Sequence, residues 1–279
     1  LAAALAQANA AGVSLAEFLD SLGDLARASL STIADLACAD KGMAGYDPVT
    51  ALDTAIETTI RRAISSRFPD HRIWGEEQGW SGPAAGAEWS IDPVDGTRAL
   101  VCGLPSWSVL VGLIEDGRHV AGLIDLPVLG ERLIAVDGQT LVNGQLARAS
   151  GCRRLAEARL ATTDPFLFAG DERAGFERVL RASRMCRYGL DALAYARVST
   201  GDIDLVVENG LQRHDYDALI PAYAGPAAIS AIGAAGMISR PARSSPLPPK
   251  RFTKRRSRCF RRDGGEVRRS HRRGCSTQP

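Results

Sequence analysis

Between residues 14 and 38, Leu15, Phe18, Leu19, Leu22, Leu25 and Ile33 recur near helical spacing and predict an amphipathic helix. Ile56, Ile60 and Ile64 repeat every four residues in a second predicted helix, 52–67, which Pro69 closes. The pattern then changes. Ile73-Trp74-Gly75 reads as a short strand running into Glu76 and Glu77, and 78–87 as a Gly/Pro/Ala loop. A strand over 88–91 leads into Asp92. Strands 106–114 and 120–126 pair across a turn at Asp116-Gly117, and 132–136 continues the sheet. Helices near 174–183 and 190–200, a strand at 203–207 and a helix from His214 to about 224 follow. The mixture is that of an α/β chain.

Hydrophobic residues at 45% and charged residues at 24% are ordinary for a soluble globular protein, and 279 residues suffice for one large domain or two lobes. No apolar run approaches the roughly 18 residues of a membrane span, so a membrane is not an expected partner. The Ala-rich start, 1–12, lacks the basic opening and apolar core of a secretory leader, and it lacks an initiator Met. Six cysteines contain no CxxC pair. They read as buried or free thiols in a reducing cytoplasm, and four histidines make a structural zinc site improbable.

Charge divides the chain. From Gly225 onward there are fourteen Lys and Arg against two acids, which leaves 20 basic and 30 acidic residues before it. A basic tail of this kind is compatible with nucleic acid or a partner. Apart from Phe252 and Phe260 it carries no interleaved aromatics, so a base-stacking platform is not expected.

Four separated acidic elements stand out before the tail: Asp53, Glu76-Glu77, Asp92 with Asp95, and Asp215. A lone acid usually does no more than solvate a surface. The run Asp92-Pro93-Val94-Asp95-Gly96-Thr97 is different, because it ends an apolar strand and its carboxylates flank a proline that restricts the turn. Gly96 lets backbone approach a ligand closely. Clustered hard oxygens suit Mg²⁺, and a helix starting near Gly96 would offer N–H groups to a phosphate.

With Asp47-Pro48-Val49-Thr50-Ala51-Leu52-Asp53, Trp74-Gly75-Glu76-Glu77 and His214-Asp215-Tyr216-Asp217-Ala218-Leu219, this run resembles the inositol monophosphatase superfamily of Mg²⁺-dependent, Li⁺-sensitive phosphatases. The last of these is similar to the family's Trp-Asp-x-Ala-Ala element. The resemblance implies a layered α/β/α/β/α sandwich with its metals at the junction of two lobes, 1–149 and 150–224. It also implies two or three Mg²⁺ ions, a small phosphorylated substrate and a homodimer. By motif, Glu76, Asp92, Asp95, Asp215 and the Val94 carbonyl would hold metal. Glu77 and Thr97 would position a water, Asp53 would hydrogen-bond Thr97, and the Gly96 and Thr97 amides would hold the phosphate.

Within the superfamily the chain is most similar to the histidinol-phosphate phosphatase branch. The similarity lies in Asp95-Gly96-Thr97-Arg98-Ala99-Leu100, Gly103-Leu104-Pro105-Ser106-Trp107, Pro127-Val128-Leu129-Gly130-Glu131-Arg132 and Asp204-Leu205-Val206-Val207-Glu208. That branch implies Asp191 and Glu208 as acids that recognise a cationic substrate, with Arg98 at the entrance. Inositol 1-phosphate, or another small phosphomonoester, is the alternative.

After Pro221 the family's Gly-rich element is missing, and 225–279 reads as a Pro- and Arg-rich disordered tail that leaves the second lobe incomplete. A change of reading frame would account for it. Codons compatible with 225–238, read from the third base, give a Gly-rich stretch close to the family's. An inactive family member, and a protein that binds nucleic acid or a partner through the tail, remain the other readings.

Overall fold

The two apolar periods at the start of the chain form helices α1 (Leu15–Leu30) and α2 (Ala51–Arg67). The computed structural model describes residues 13–30, 38–40, 48–223, 229–232 and 237–238. Residues 31–37 of the expected first helix lie outside the described residues, Cys38 at its expected end belongs to a strand instead, and Leu25, counted on its apolar face, is exposed. A reciprocal cap starts α2: Thr50 Oγ1 accepts the Leu52 N–H, and Asp53 Oδ2 accepts the Thr50 N–H.

Strands β1 (Cys38–Asp40) and β2 (Pro48–Thr50) form a small antiparallel ladder. Next come β3 (Arg72–Gly75), β4 (Gly79–Ser81), β5 (Glu88–Asp95), β6 (Ser108–Glu115), β7 (Arg118–Leu126), β8 (Glu131–Val136), β9 (Gln139–Val142) and β10 (Gln145–Leu146). They make one sheet in the order β10-β9-β8-β7-β6-β5-β3-β4. A second sheet runs β12 (Met185–Tyr188), β11 (Arg159–Thr162), β13 (Leu205–Glu208), β14 (Ile229–Ile232), β15 (Met237–Ile238). Helices α3 (Thr97–Val101), α4 (Gly170–Ala182), α5 (Ala192–Thr200), α6 (Arg213–Tyr216) and α7 (Leu219–Ala222) complete the described elements.

Alternation along the central strands explains the layering. On β6, Val109, Val111 and Leu113 pack with α1 and α2, whereas Leu110 faces the opposite cluster. On β7, Ala121 and Leu123 take the first side and Ile124 and Leu126 the second. That second cluster adds α5, α7, Ala161 of β11 and Val206 of β13. Beyond the second sheet, Phe176 of α4 packs with Phe168 and Leu160. The result is the expected α/β/α/β/α sandwich.

Three segments differ from the sequence reading. The loop expected over 78–87 contains β4, which pairs with β3 so that Trp80 faces Trp74 with ring centroids 5.3 Å apart. The Arg72 guanidinium lies 3.9 Å over Trp80, and such cross-strand contacts supply what the local composition lacks. The single helix expected from His214 is two helices, α6 and α7, broken at Asp217-Ala218. Had it been continuous, Pro221 would remove a mid-helix hydrogen bond; the break puts it in a first turn, where its missing N–H costs nothing. The second sheet also runs past residue 224, since β14 pairs in parallel with β13. The remainder of the basic tail lies outside the described residues.

Glycines seat α6 and α7 on the first sheet. Gly112 of β6 and Gly122 of β7 are cross-strand partners. A Cβ on Gly112 would lie 2.7 Å from the Asp217 carbonyl carbon, and one on Gly122 would lie 2.1 Å from Ala218 O. Main chain therefore rests directly on main chain beside Asp215.

Candidate functional site

Residues three apart on a regular strand point to opposite faces. Asp92 and Asp95 nevertheless converge, because the pairing of β5 with β6 shifts register between them. Asp92 is 2% exposed and accepts the Val94 N–H at 3.1 Å. Asp95 Oδ2 accepts the Ser108 hydroxyl at 3.1 Å and the Ala192 N–H at 2.8 Å, which ties the end of β5 to the start of α5.

Gly96 then turns the chain with φ 80° and ψ 40°, a conformation natural to glycine, and its carbonyl accepts the Ala99 and Leu100 N–H groups to open α3. A Cβ here would lie 2.9 Å from Asp191 Oδ2, so Asp191 sits close above the turn. Asp191 itself has φ 48° and ψ −142°, a strained backbone of the kind found at functional sites. The Thr97 hydroxyl donates to Val94 O at 2.9 Å and reaches Asp53 Oδ1 only at 3.5 Å. Its expected bond to Asp53 is thus the longer of the two, because the carbonyl three residues back is nearer. Asp53 also serves the α2 cap.

Glu76 and Glu77 follow β3 in a turn held from behind by Glu57, a residue the sequence reading passed over. Glu57 Oε2 accepts the Glu77 N–H at 2.8 Å, and Oε1 accepts the Gln78 N–H at 3.1 Å. Arg61 Nε donates to Glu57 Oε1 at 2.7 Å, and Glu57 is fully buried. The available signal was an i, i+4 Glu/Arg pair beside the face marked by Ile56, Ile60 and Ile64. On α6, Asp215 Oδ2 accepts the Gln212 N–H at 2.6 Å.

These elements bring ligand-capable atoms together in two overlapping groups. Oxygens of Asp92, Asp95 and Asp215 lie within 4.8 Å of one another, as do ligand atoms of Glu76, Asp92 and His214. Burial, then Glu76, Asp95 and Asp215 in turn, pushes the Asp92 carboxyl well above its usual range. Burial and Asp191 do the same to Asp95, against the Ala192 N–H. Burial also raises Asp215, opposed by His214, and raises Asp53, opposed by Thr50. Crowded, enclosed carboxylates and a predominantly oxygen donor set fit a divalent cation.

A cavity of about 230 Å³ adjoins this cluster, lined by Asp95, Asp191, Tyr195, Glu208 and Asp215 among others, with no Lys, Arg or His on its wall among the described residues. Glu208 Oε1 accepts the Thr163 N–H at 2.9 Å and its hydroxyl at 2.6 Å. Burial still pushes the Glu208 carboxyl up to about 7. Burial raises Asp191 as well, opposed by Arg98, which is itself exposed. Glu76, Asp92, Asp95 and Asp215 thus meet in one cluster, Asp191 and Glu208 line the cavity beside it, and Arg98 is exposed yet near enough to Asp191 to oppose its shift.

A model of the inositol monophosphatase family matches residues 14–248, and the chain belongs to that family. Over 181 residues it is 38% identical to the bifunctional phosphatase IMPL2 of Arabidopsis thaliana, covering 64% of this chain. That match spans 52% of IMPL2's own length. Over 184 residues it is 33% identical to the histidinol-phosphatase of Mycobacterium tuberculosis, covering 62% of this chain and 69% of that protein. An inositol monophosphatase from Zymomonas mobilis superposes with a TM-score of 0.64 at 36% identity, over 74% of this chain and 80% of its own. No helix among the described residues is long and apolar enough to cross a membrane.

Proposed function

We propose that the chain is a Mg²⁺-dependent phosphomonoesterase whose preferred substrate carries a cation next to its phosphate, with histidinol phosphate the leading candidate. The observation behind this reading is the cavity beside the carboxylate cluster, whose described wall offers the carboxylates Asp191 and Glu208. An ammonium and an imidazole suit such a wall, whereas a polyol needs hydrogen-bond partners but no negative charge. The relatives named for histidinol phosphate agree with it.

In this reading Glu76, Asp92, Asp95, Asp215 and the Val94 carbonyl hold the ions. When bound, Mg²⁺ neutralises phosphoryl oxygens and lowers the pKa of an attacking water. The chain's own residues do the positioning, which is most of what phosphoryl transfer asks of a protein. Glu77 and Thr97 orient the water, with Asp53 behind Thr97. The amides of Gly96 and Thr97 face the phosphate, and Asp191 and Glu208 take the cationic end of the alcohol.

Phosphate release from histidinol phosphate and from inositol 1-phosphate, with Mg²⁺ or with EDTA, tests this. Mg²⁺-dependent turnover favouring histidinol phosphate is expected. Equal or better turnover of inositol 1-phosphate defeats the substrate assignment, and no release from either ester by folded protein defeats the activity.

A further inference from the structure

The group formed by Glu76, Asp92 and His214 contains a donor that is not an oxygen. His214 precedes Asp215 on α6, at the position where the family element named above has a tryptophan, whose indole is no metal ligand. Its side chain is 14% exposed, and Nε2 lies 3.3 Å from Asp215 Oδ1. Nδ1 is buried and has no hydrogen-bond partner among the described residues. A buried ring nitrogen without a partner calls for an explanation. One ring nitrogen of His214 lies within 4.8 Å of ligand atoms of Glu76 and Asp92, and in the tautomer that turns an Nε2 proton to the Asp215 carboxylate the unpartnered Nδ1 keeps its lone pair for a cation. Metal-binding histidines commonly keep their other nitrogen on a carboxylate in this way.

We propose that His214 is a nitrogen ligand in the metal centre, joining Glu76 and Asp92 in a mixed nitrogen–oxygen set that binds Mn²⁺, Co²⁺ or Zn²⁺ more tightly than Mg²⁺. The inference rests on the reading of the carboxylate cluster as a metal site. Its chemistry is general. Mg²⁺ demands oxygen donors and retains its waters, whereas imidazole suits the later divalent ions, whose affinity for a given site rises along the first transition row. One imidazole among carboxylates therefore tilts selection without closing the site to Mg²⁺.

The test uses the full chain, stripped with chelator and reloaded with Mn²⁺ alone. Pulsed electron paramagnetic resonance should show a ¹⁴N coupling characteristic of a bound imidazole, and titration should give a Kd for Mn²⁺ at least about tenfold below that for Mg²⁺. His214→Gln, checked for native circular dichroism, should lose the coupling. It should also weaken Mn²⁺ by about tenfold or more while moving the Mg²⁺ Kd much less. Bound Mn²⁺ without a nitrogen coupling, or a coupling that persists in His214→Gln, overturns the role of His214 and leaves the carboxylate site standing. Failure to bind either ion overturns the metal centre itself.

Discussion

Asp92 and Asp95 lie on a strand whose two sides are both covered, and each is fastened by a main-chain N–H, from Val94 and Ala192. Asp191 and Glu208 are carried differently. Asp191 heads α5 on a strained backbone, and Glu208 ends β13 with Thr163 as its hydrogen-bonding partner. The inner pair is thus set by the register of one strand and the outer pair by the ends of two separate elements, α5 and β13. A scaffold of this kind can keep one reaction and vary its substrate, because changes at the ends of α5 and β13 reach the outer pair without disturbing the register of β5.

The strongest way to break this contrast is Asp95→Asn. On the proposed reading Asp95 is a ligand, and its loss should cost more than the roughly 10–100-fold typical of an outer partner of a metal site, for every ester alike, as measured by kcat/KM on histidinol phosphate and inositol 1-phosphate. A loss confined to one substrate would mean that Asp95 belongs to the outer group.

Glu208→Gln should discriminate instead. Its KM for histidinol phosphate should rise about tenfold, as for loss of a charged hydrogen bond, with inositol 1-phosphate changed far less. Glu208 also carries a pH signature. Its carboxyl rises from 4.5 to about 7 on folding, so between those values the folded state holds a proton that the unfolded chain has released. Stability therefore falls as pH rises through that window, by up to roughly 3 kcal/mol. Thermal unfolding of metal-free protein across this range should show a shallower decline in Glu208→Gln. An unchanged slope would place the titration elsewhere. Arg98→Gln should be the mildest change, under about threefold in kcat/KM for either ester, since exposed charge interactions are weak. A tenfold effect would move Arg98 into the outer wall.

What could be read from the chain follows the same division. The α2 period, the paired strands around Asp116-Gly117 and the run from Asp92 to Thr97 are local patterns, and each stands where it was expected. The shift in register that turns Asp92 and Asp95 to one side is a property of two paired strands, and no single-strand pattern contains it. Glu57, Thr163 and His214 act on residues that packing brings near, and for Glu57 and Thr163 the partners lie 20 and 45 positions away. His214 was in plain view within the motif, but only folding set it beside Glu76 and Asp92. The break at Asp217-Ala218 was signalled by Pro221, whose missing N–H bars a continuous helix.

The Gly112–Gly122 pair has a consequence for how this protein could be rebuilt. The segment bearing Asp215 is seated by peptide planes lying against peptide planes, and it is pinned on either side by side chains, Asp217 on His119 and Arg213 on Glu88. A graft of 211–219 from another family member would need both glycines and partners for His119 and Glu88 to find the same berth. Adding a single methyl group to the floor of that berth would tilt the graft, and the carboxylate it carries, out of reach of Asp92 and Asp95.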